Sequence, residues 1–295
     1  MLNPHQQFIE FAFKMHLRKW TPKISNDAKP PFLLIHGLSS NAQTWDSVAH
    51  LLAEAGHEVV AIDQRNHGLS AKTDAGFDFE TITADVARVL DYLEWESPIL
   101  AGQSWGGNVL TEFGVSYPGR SIGLIMVDGG FLDFGETDEN WETVRDRLKP
   151  PNIDRFPAET LRTLIQSSHQ DWTEEGIDAT MANFKIYEDG SIERHLHVEK
   201  HMQILHHLFN QKVQVLYPQI QEPVLICAAG PNEQPDSPKS EWLNNAMQIK
   251  NVTQTWFANT DHDIHLHKPQ QLVETMFSWL GTISSEANDD YTARN

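Results

Sequence analysis

The chain has 295 residues, 40% of them apolar and 21% charged, with nine tryptophans, the composition of a globular protein able to bury a substantial core in one or two domains. Its 22 Lys and Arg stand against 41 Asp and Glu, a formal net charge of −19; a surface of that sign repels nucleic acid and anionic membrane, so neither is expected as a partner. The lone cysteine, Cys227, excludes an intrachain disulfide and reads as a buried thiol, and with no 18-residue apolar run and no basic-then-apolar leader the chain is expected to be cytoplasmic and not membrane-inserted.

From the N-terminus, Phe8 to Trp20 alternates apolar and polar residues, which predicts one or two strands at a sheet edge. Strand-like runs then follow at 31–36, 58–63, 98–103 and 122–128, separated by helical patterns at 41–55, 79–95 and 105–117. Such alternation predicts a parallel sheet with crossover helices. The helix from Phe79 has Ile82, Val86, Val89, Leu90 and Leu93 on one face and Asp78 as its N-cap. After Asp128-Gly129-Gly130 the rhythm breaks. Helical patterns at 139–149, 158–169 and 172–183 and a hairpin-type turn at Tyr187 to Ile192 predict an insertion over residues 131–218, a mainly helical lid laid on a core formed by 1–130 and 219–295. The core resumes with the run Val224 to Ala229, a helix at 238–249, a strand at 253–258 and a last helix from Pro269, with a polar tail from Ser284 expected to fray.

Chemistry first appears at Gly102-Gln103-Ser104-Trp105-Gly106-Gly107, where a serine sits between glycines at minus two and plus two, at a strand-to-helix junction. This is the pattern of a nucleophile elbow, whose strained backbone requires small neighbours. Upstream, a strand-like run ends at His36-Gly37, and another ends in Asp63-Gln64-Arg65-Asn66-His67-Gly68-Leu69-Ser70. Far downstream, Asp261-His262-Asp263 follows the last strand-like run.

With these four features in one order, over roughly residues 8–130 and 222–281, the chain resembles the α/β-hydrolase family. The resemblance implies an α/β fold with a mostly parallel central sheet, helices on both faces and a cap insertion. It also implies Ser104 as nucleophile, His262 as base, and backbone amides of Leu38 and Trp105 as oxyanion donors. Three departures stand out: Asn66 and Asp261 where relatives usually have Gly, and Gly230-Pro231-Asn232-Glu233 where a G-x-x-D acid motif is usual. Glu233 keeps the acid's spacing and is the first candidate for the third member of the triad; Asp236 in the same loop and Asp128 at the end of the preceding strand are the alternatives.

The activity implied is hydrolysis of a small, largely apolar carboxylic ester, thioester or lactone through an acyl-enzyme, with a small-molecule acyl substrate and no cofactor or metal. A serine nucleophile sets it apart from haloalkane dehalogenases and epoxide hydrolases. The Ser104-Trp105-Gly106 sequence also resembles proline iminopeptidases, with Glu174, Glu175 and Asp178 as candidate amine binders, and a non-catalytic ligand-binding protein is the reading of another class. Asp63 and Arg65 are expected to form a buried or rim ion pair that fixes the loop, and His195, His197, His201, His206 and His207 a polar face rather than a metal site. Nothing in the pattern specifies an oligomeric state.

Overall fold

The computed structural model describes residues 3–24, 29–135, 140–230 and 237–293, with side chains through residue 283. Among the described residues ten strands and eleven α-helices follow in chain order. The first half contains β1 (His5–Glu10), β2 (Lys14–Trp20), β3 (Phe32–Ile35), α1 (Asp46–Glu54), β4 (Val59–Ile62), α2 (Phe79–Leu93), β5 (Ile99–Gln103), α3 (Trp105–Ser116) and β6 (Gly123–Val127). Between β6 and the next sheet strand come α4 (Trp141–Leu148), α5 (Ala158–Ser168), α6 (Glu174–Met181), the small hairpin β7 (Phe184–Ile186) and β8 (Ile192–Arg194), α7 (Val198–Asn210) and α8 (Val213–Leu216). The chain ends with β9 (Val224–Gly230), α9 (Pro238–Ala246), β10 (Val252–Ala258), α10 (Ile264–His267) and α11 (Pro269–Ala293).

Eight strands form one sheet in the order β1-β2-β4-β3-β5-β6-β9-β10. The β1–β2 and β2–β4 pairings are antiparallel and the others parallel. The central strands read as continuous apolar runs because both faces are covered. Period-two alternation sends Leu33, Ile35, Val60, Ile62, Leu100 and Met126 to one core and Phe32, Leu34, Val59, Ala61, Ala101 and Val127 to the other. The first core is closed by α2 and α3 through Val86, Leu90, Val109 and Phe113. On the second, α1 and α11 contribute Val48, Leu52, Leu272 and Met276. Each fully buried side chain of this size contributes about 1.5–3 kcal/mol, so the two layers hold the sheet rigid beneath its loops.

The predicted α/β architecture is the one observed. The 41–55 pattern divides into a 3-10 turn at Ala42–Trp45, N-capped by Asn41, and α1. Three helices escape the sequence pattern, among them the four-residue α8. α7 packs Ile204, Leu205 and Leu208 onto the first core, and α10 is too short to show a period. The helical backbone of α11 continues past Ser284, where the polar composition predicts fraying. The small β7–β8 sheet matches the turn signal at Tyr187 to Ile192.

Burial depresses the imidazole pKa of His36, His57, His67, His195, His201 and His265, the last two to about 4. His265 is fully buried against Trp45, and neither ring nitrogen has a partner among the described residues. Unfolded histidines titrate at about 6.5, so between about pH 6.5 and pH 4 unfolding takes up protons and stability falls as the pH falls. Calorimetric melting temperatures should therefore decline steadily from pH 7 to pH 4.5, and His265→Phe should flatten that slope. A melting temperature independent of pH over this range would contradict the burial of these rings.

Candidate active site

All the parallel strands end at one edge of the sheet, where the loops carrying the sequence motifs gather. There β5 turns into α3 through Ser104, whose backbone (φ 53, ψ −120) lies where non-glycine residues are rare. Such a conformation costs roughly 1–3 kcal/mol and persists only where its surroundings fix it. The Ser104 N–H donates to Val127 O at 2.9 Å, and its carbonyl accepts from the N–H of Gly107 at 2.9 Å and of Asn108 at 3.3 Å. Space is as tight as the motif requires: a Cβ on Gly102 would lie 2.3 Å from Gly106 O, one on Gly106 2.6 Å from Ile35 O, and one on Gly129 2.1 Å from Ser104 O. Ser104 is half-buried, while Gln103 and Trp105 on either side are buried.

One strand over, β6 pairs Val127 with Gln103, which sets Asp128 beside the elbow. Asp128 has φ 44 and is 3% exposed. Its Oδ1 accepts the Ala229 N–H at 2.8 Å and lies 2.5 Å from Lys239 Nζ, while Oδ2 is 2.6 Å from His262 Nδ1. Desolvation pushes this carboxyl upward, but the His262 hydrogen bond and the charges of His262 and Lys239 outweigh it, so its pKa falls below the usual carboxylate value. His262 lies in the loop after β10 with its side chain 49% exposed. Partial burial lowers its pKa and Lys239 opposes its charge, yet the Asp128 hydrogen bond and charge, aided by Asp263, raise it above the ordinary histidine value. With Nδ1–H committed to Asp128, Nε2 is the basic nitrogen.

Sequence spacing favours Glu233 as the acid; Glu233 and Asp236 lie outside the described residues. The carboxylate that meets His262 is Asp128, the strand-end alternative. Spacing along one loop does not register that β6 and β9 are neighbours in the sheet.

The turn after β3 is held from two sides. Its Gly37 carbonyl accepts the Ser40 N–H, and the Ser39 N–H donates to His67 Nε2 at 3.2 Å, which leaves Leu38 at the apex. From the segment between β6 and β9, His201 Nδ1 meets Ser39 Oγ at 2.7 Å, and Asn41 Nδ2 donates to Ala179 O and Asn183 Oδ1. Trp105 is the first residue of α3, so its amide is among those that a helix start leaves without an intrahelical acceptor; its side chain is buried and stacks on His67. His36 donates from Nδ1 to Gly37 O and accepts the Gln64 N–H at Nε2, a structural histidine as its turn position implies.

Asp63 and Arg65 do not pair with each other; each is held by a separate partner. Asp63 binds His16 at 2.8 Å with its pKa pulled down to about 2, and Arg65 binds Asp85 at 2.6 Å. Asn66 takes φ 66, a value that asparagine tolerates better than most residues, which explains its substitution for glycine. Asp261, the other departure, accepts from Trp172 Nε1 and meets His169 Nδ1, both at 3.0 Å, tying the His262 loop to the segment between β6 and β9. Among the described residues Asp171, Asp261 and His267 form one cluster of metal-ligating atoms, already joined to each other by hydrogen bonds or close ion pairs. The insertion histidines do not converge: His201 faces Ser39, while His206 packs on Trp141. Lys239 and the Ser39–His201 contact carry no sequence signal, since a lysine opening a helix ordinarily reads as a solvated residue.

A model of the alpha/beta hydrolase family matches residues 32–275. Curated relatives include rhodomycin D methylesterase DnrP of Streptomyces peucetius, 30% identical over 150 residues, 49% of each chain. Another is epoxide hydrolase B of Mycobacterium tuberculosis, 32% identical over 108 residues, 36% of this chain and 30% of that protein. The matched stretches thus span about a third to a half of these relatives' lengths. Among solved structures, E-2-(acetamidomethylene)succinate hydrolase superposes with a TM-score of 0.77 over 94% of this chain and 99% of its own, at 16% identity. The thioesterase domain from the curacin biosynthetic pathway does so with a TM-score of 0.72 over 93% and 99%, at 20% identity. At these identities the superpositions speak for the fold alone.

The close approach at the elbow has a measurable consequence. Gly102→Ala forces a methyl group against backbone that cannot swing away, so overpacking of about 1–3 kcal/mol is expected, a melting temperature lower by on the order of 2–10 °C. A fully stable variant would mean that the strand-to-helix turn is looser than its distances imply.

Proposed function

The chain belongs to the alpha/beta hydrolase family, and from that premise we propose that it is a serine hydrolase cleaving a small, largely apolar carboxylic ester, thioester or lactone through an acyl-enzyme. The observation that carries this reading is the 2.6 Å contact between His262 Nδ1 and Asp128 Oδ2, one strand from a serine in a strained elbow. In the proposed reaction Ser104 Oγ attacks the carbonyl carbon while His262 Nε2 takes its proton. Asp128 orients the imidazole and stabilises the imidazolium. Negative charge developing on the former carbonyl oxygen is met by the amides of Leu38 and Trp105, with the N-terminal dipole of α3 adding to them. The imidazolium then protonates the leaving group, and His262 activates the water that releases the acid. Every step uses this chain's own side chains and amides, so no cofactor enters.

Residues 131–218 are read as the cap over a core of 1–130 and 219–295. The contacts from His201, Ala179 and Asn183 onto the loop after β3 support that division. The aminopeptidase alternative would use Glu174, Glu175 and Asp178, all exposed, of which Glu174 and Asp178 are paired with Arg162 at 2.6 and 2.5 Å. No helix among the described residues is long and apolar enough to cross a membrane; a cytoplasmic place is proposed from the free, buried Cys227.

Wild-type protein should label with a fluorophosphonate probe and hydrolyse short acyl esters. Ser104→Ala and His262→Ala should abolish labelling, and Asp128→Asn should lower kcat by roughly 10³–10⁴-fold with KM little changed. Ester hydrolysis that survives in Ser104→Ala would overturn the proposal.

A further inference from the structure

We propose that Lys239 is the counter-ion of the Asp128 carboxylate and sets the basicity of His262, acting as a positioning residue outside the serine–histidine–acid set. The inference rests on the reading of Asp128 and His262 as an acid–base pair.

Lys239 is the second residue of α9, which lies beside the end of β9. Its side chain is 27% exposed, and Nζ lies 2.5 Å from Asp128 Oδ1 while also donating to Ala229 O. The ammonium lies 5.9 Å from the ring centroid of Phe131 and 5.6 Å from that of Trp256, faces that favour a cation over open solvent. The two carboxylate oxygens are thus assigned separate tasks. Oδ1 is fixed by Lys239 and the Ala229 N–H, and Oδ2 is left to His262.

The electrostatic consequence follows from the charges that face His262. Asp128 comes from the end of β6, Lys239 from α9, and Asp263 and His265 from the loop and short helix that follow His262. An unopposed buried carboxylate would hold the imidazole protonated well above its ordinary pKa and keep it from serving as a base at neutral pH. A cation on the far oxygen offsets part of that field. His262 therefore stays oriented by Asp128 while losing its proton nearer neutrality.

The test uses the full chain with Lys239→Met, Lys239→Gln and Lys239→Arg. The His262 imidazole is titrated by NMR with labelled histidine, assigned against His262→Ala, and kcat/KM for a short-chain ester is followed against pH. Either neutral substitution should raise the His262 pKa by about one pH unit and move the acidic limb of kcat/KM upward with it, while Lys239→Arg stays near wild type. An unchanged or lowered His262 pKa in the folded neutral variants would overturn the proposal, whatever happens to the rate; a rate loss with the limb in place would mark Lys239 as merely structural. Because the titration needs no turnover, a chain that hydrolysed no ester would remove the hydrolase reading and leave the Lys239 result to be read by itself.

Discussion

The charge of Asp128 is the constraint on which this site is organised. A carboxylate 3% exposed at the end of a central strand would be severely destabilising without partners, since desolvating an ion costs several kcal/mol even after the protein relaxes. Its partners come from three separate places: the Ala229 amide of β9, Lys239 at the start of α9 and His262 in the loop after β10. Each of these must be delivered by the fold. Satisfying one buried charge therefore fixes the mutual positions of the last third of the chain and the middle of the sheet.

The same edge of the sheet carries backbone strain at Ser104 and Asp128, both with positive φ. Such conformations survive where packing leaves no alternative. Here the glycines at 102, 106 and 129 let backbone approach backbone closely enough that a single added carbon would collide. In the proposed mechanism rigidity at this edge and its chemistry have a common origin, because a serine held away from its relaxed conformation also stays where the neighbouring strand presents Asp128.

The segment between β6 and β9 bears on the site as well. His201 reaches Ser39, Asn41 reaches Ala179 and Asn183, and Asp261 reaches Trp172 and His169. The loop after β3 and the loop bearing His262 are thereby both tied to the segment between β6 and β9. In the proposed mechanism these loops carry an oxyanion donor and the base, so the geometry of the reaction depends on where that segment rests. Asp261 illustrates the point, since the residue that replaces the usual glycine is the one that forms the tie.

Local pattern in the sequence determined the alternation of strands and helices, the elbow at Ser104, the turn at His36-Gly37 and the late histidine, because each is written in residues a few positions apart. Period-two burial in the sheet and the glycine spacing are properties of a short stretch of backbone, and both are legible there. The carboxylate partner of His262 was not. Glu233 keeps the expected spacing within its own loop, but the contact to His262 is made by Asp128, 134 positions away in the chain, and such proximity arises only when β6 and β9, far apart in sequence, pair in the sheet. Lys239 and His201 were hidden for the same reason. A lysine or a histidine on a helix has the same local sequence whether it meets water or a buried partner, and only the packing of distant elements decides which it meets.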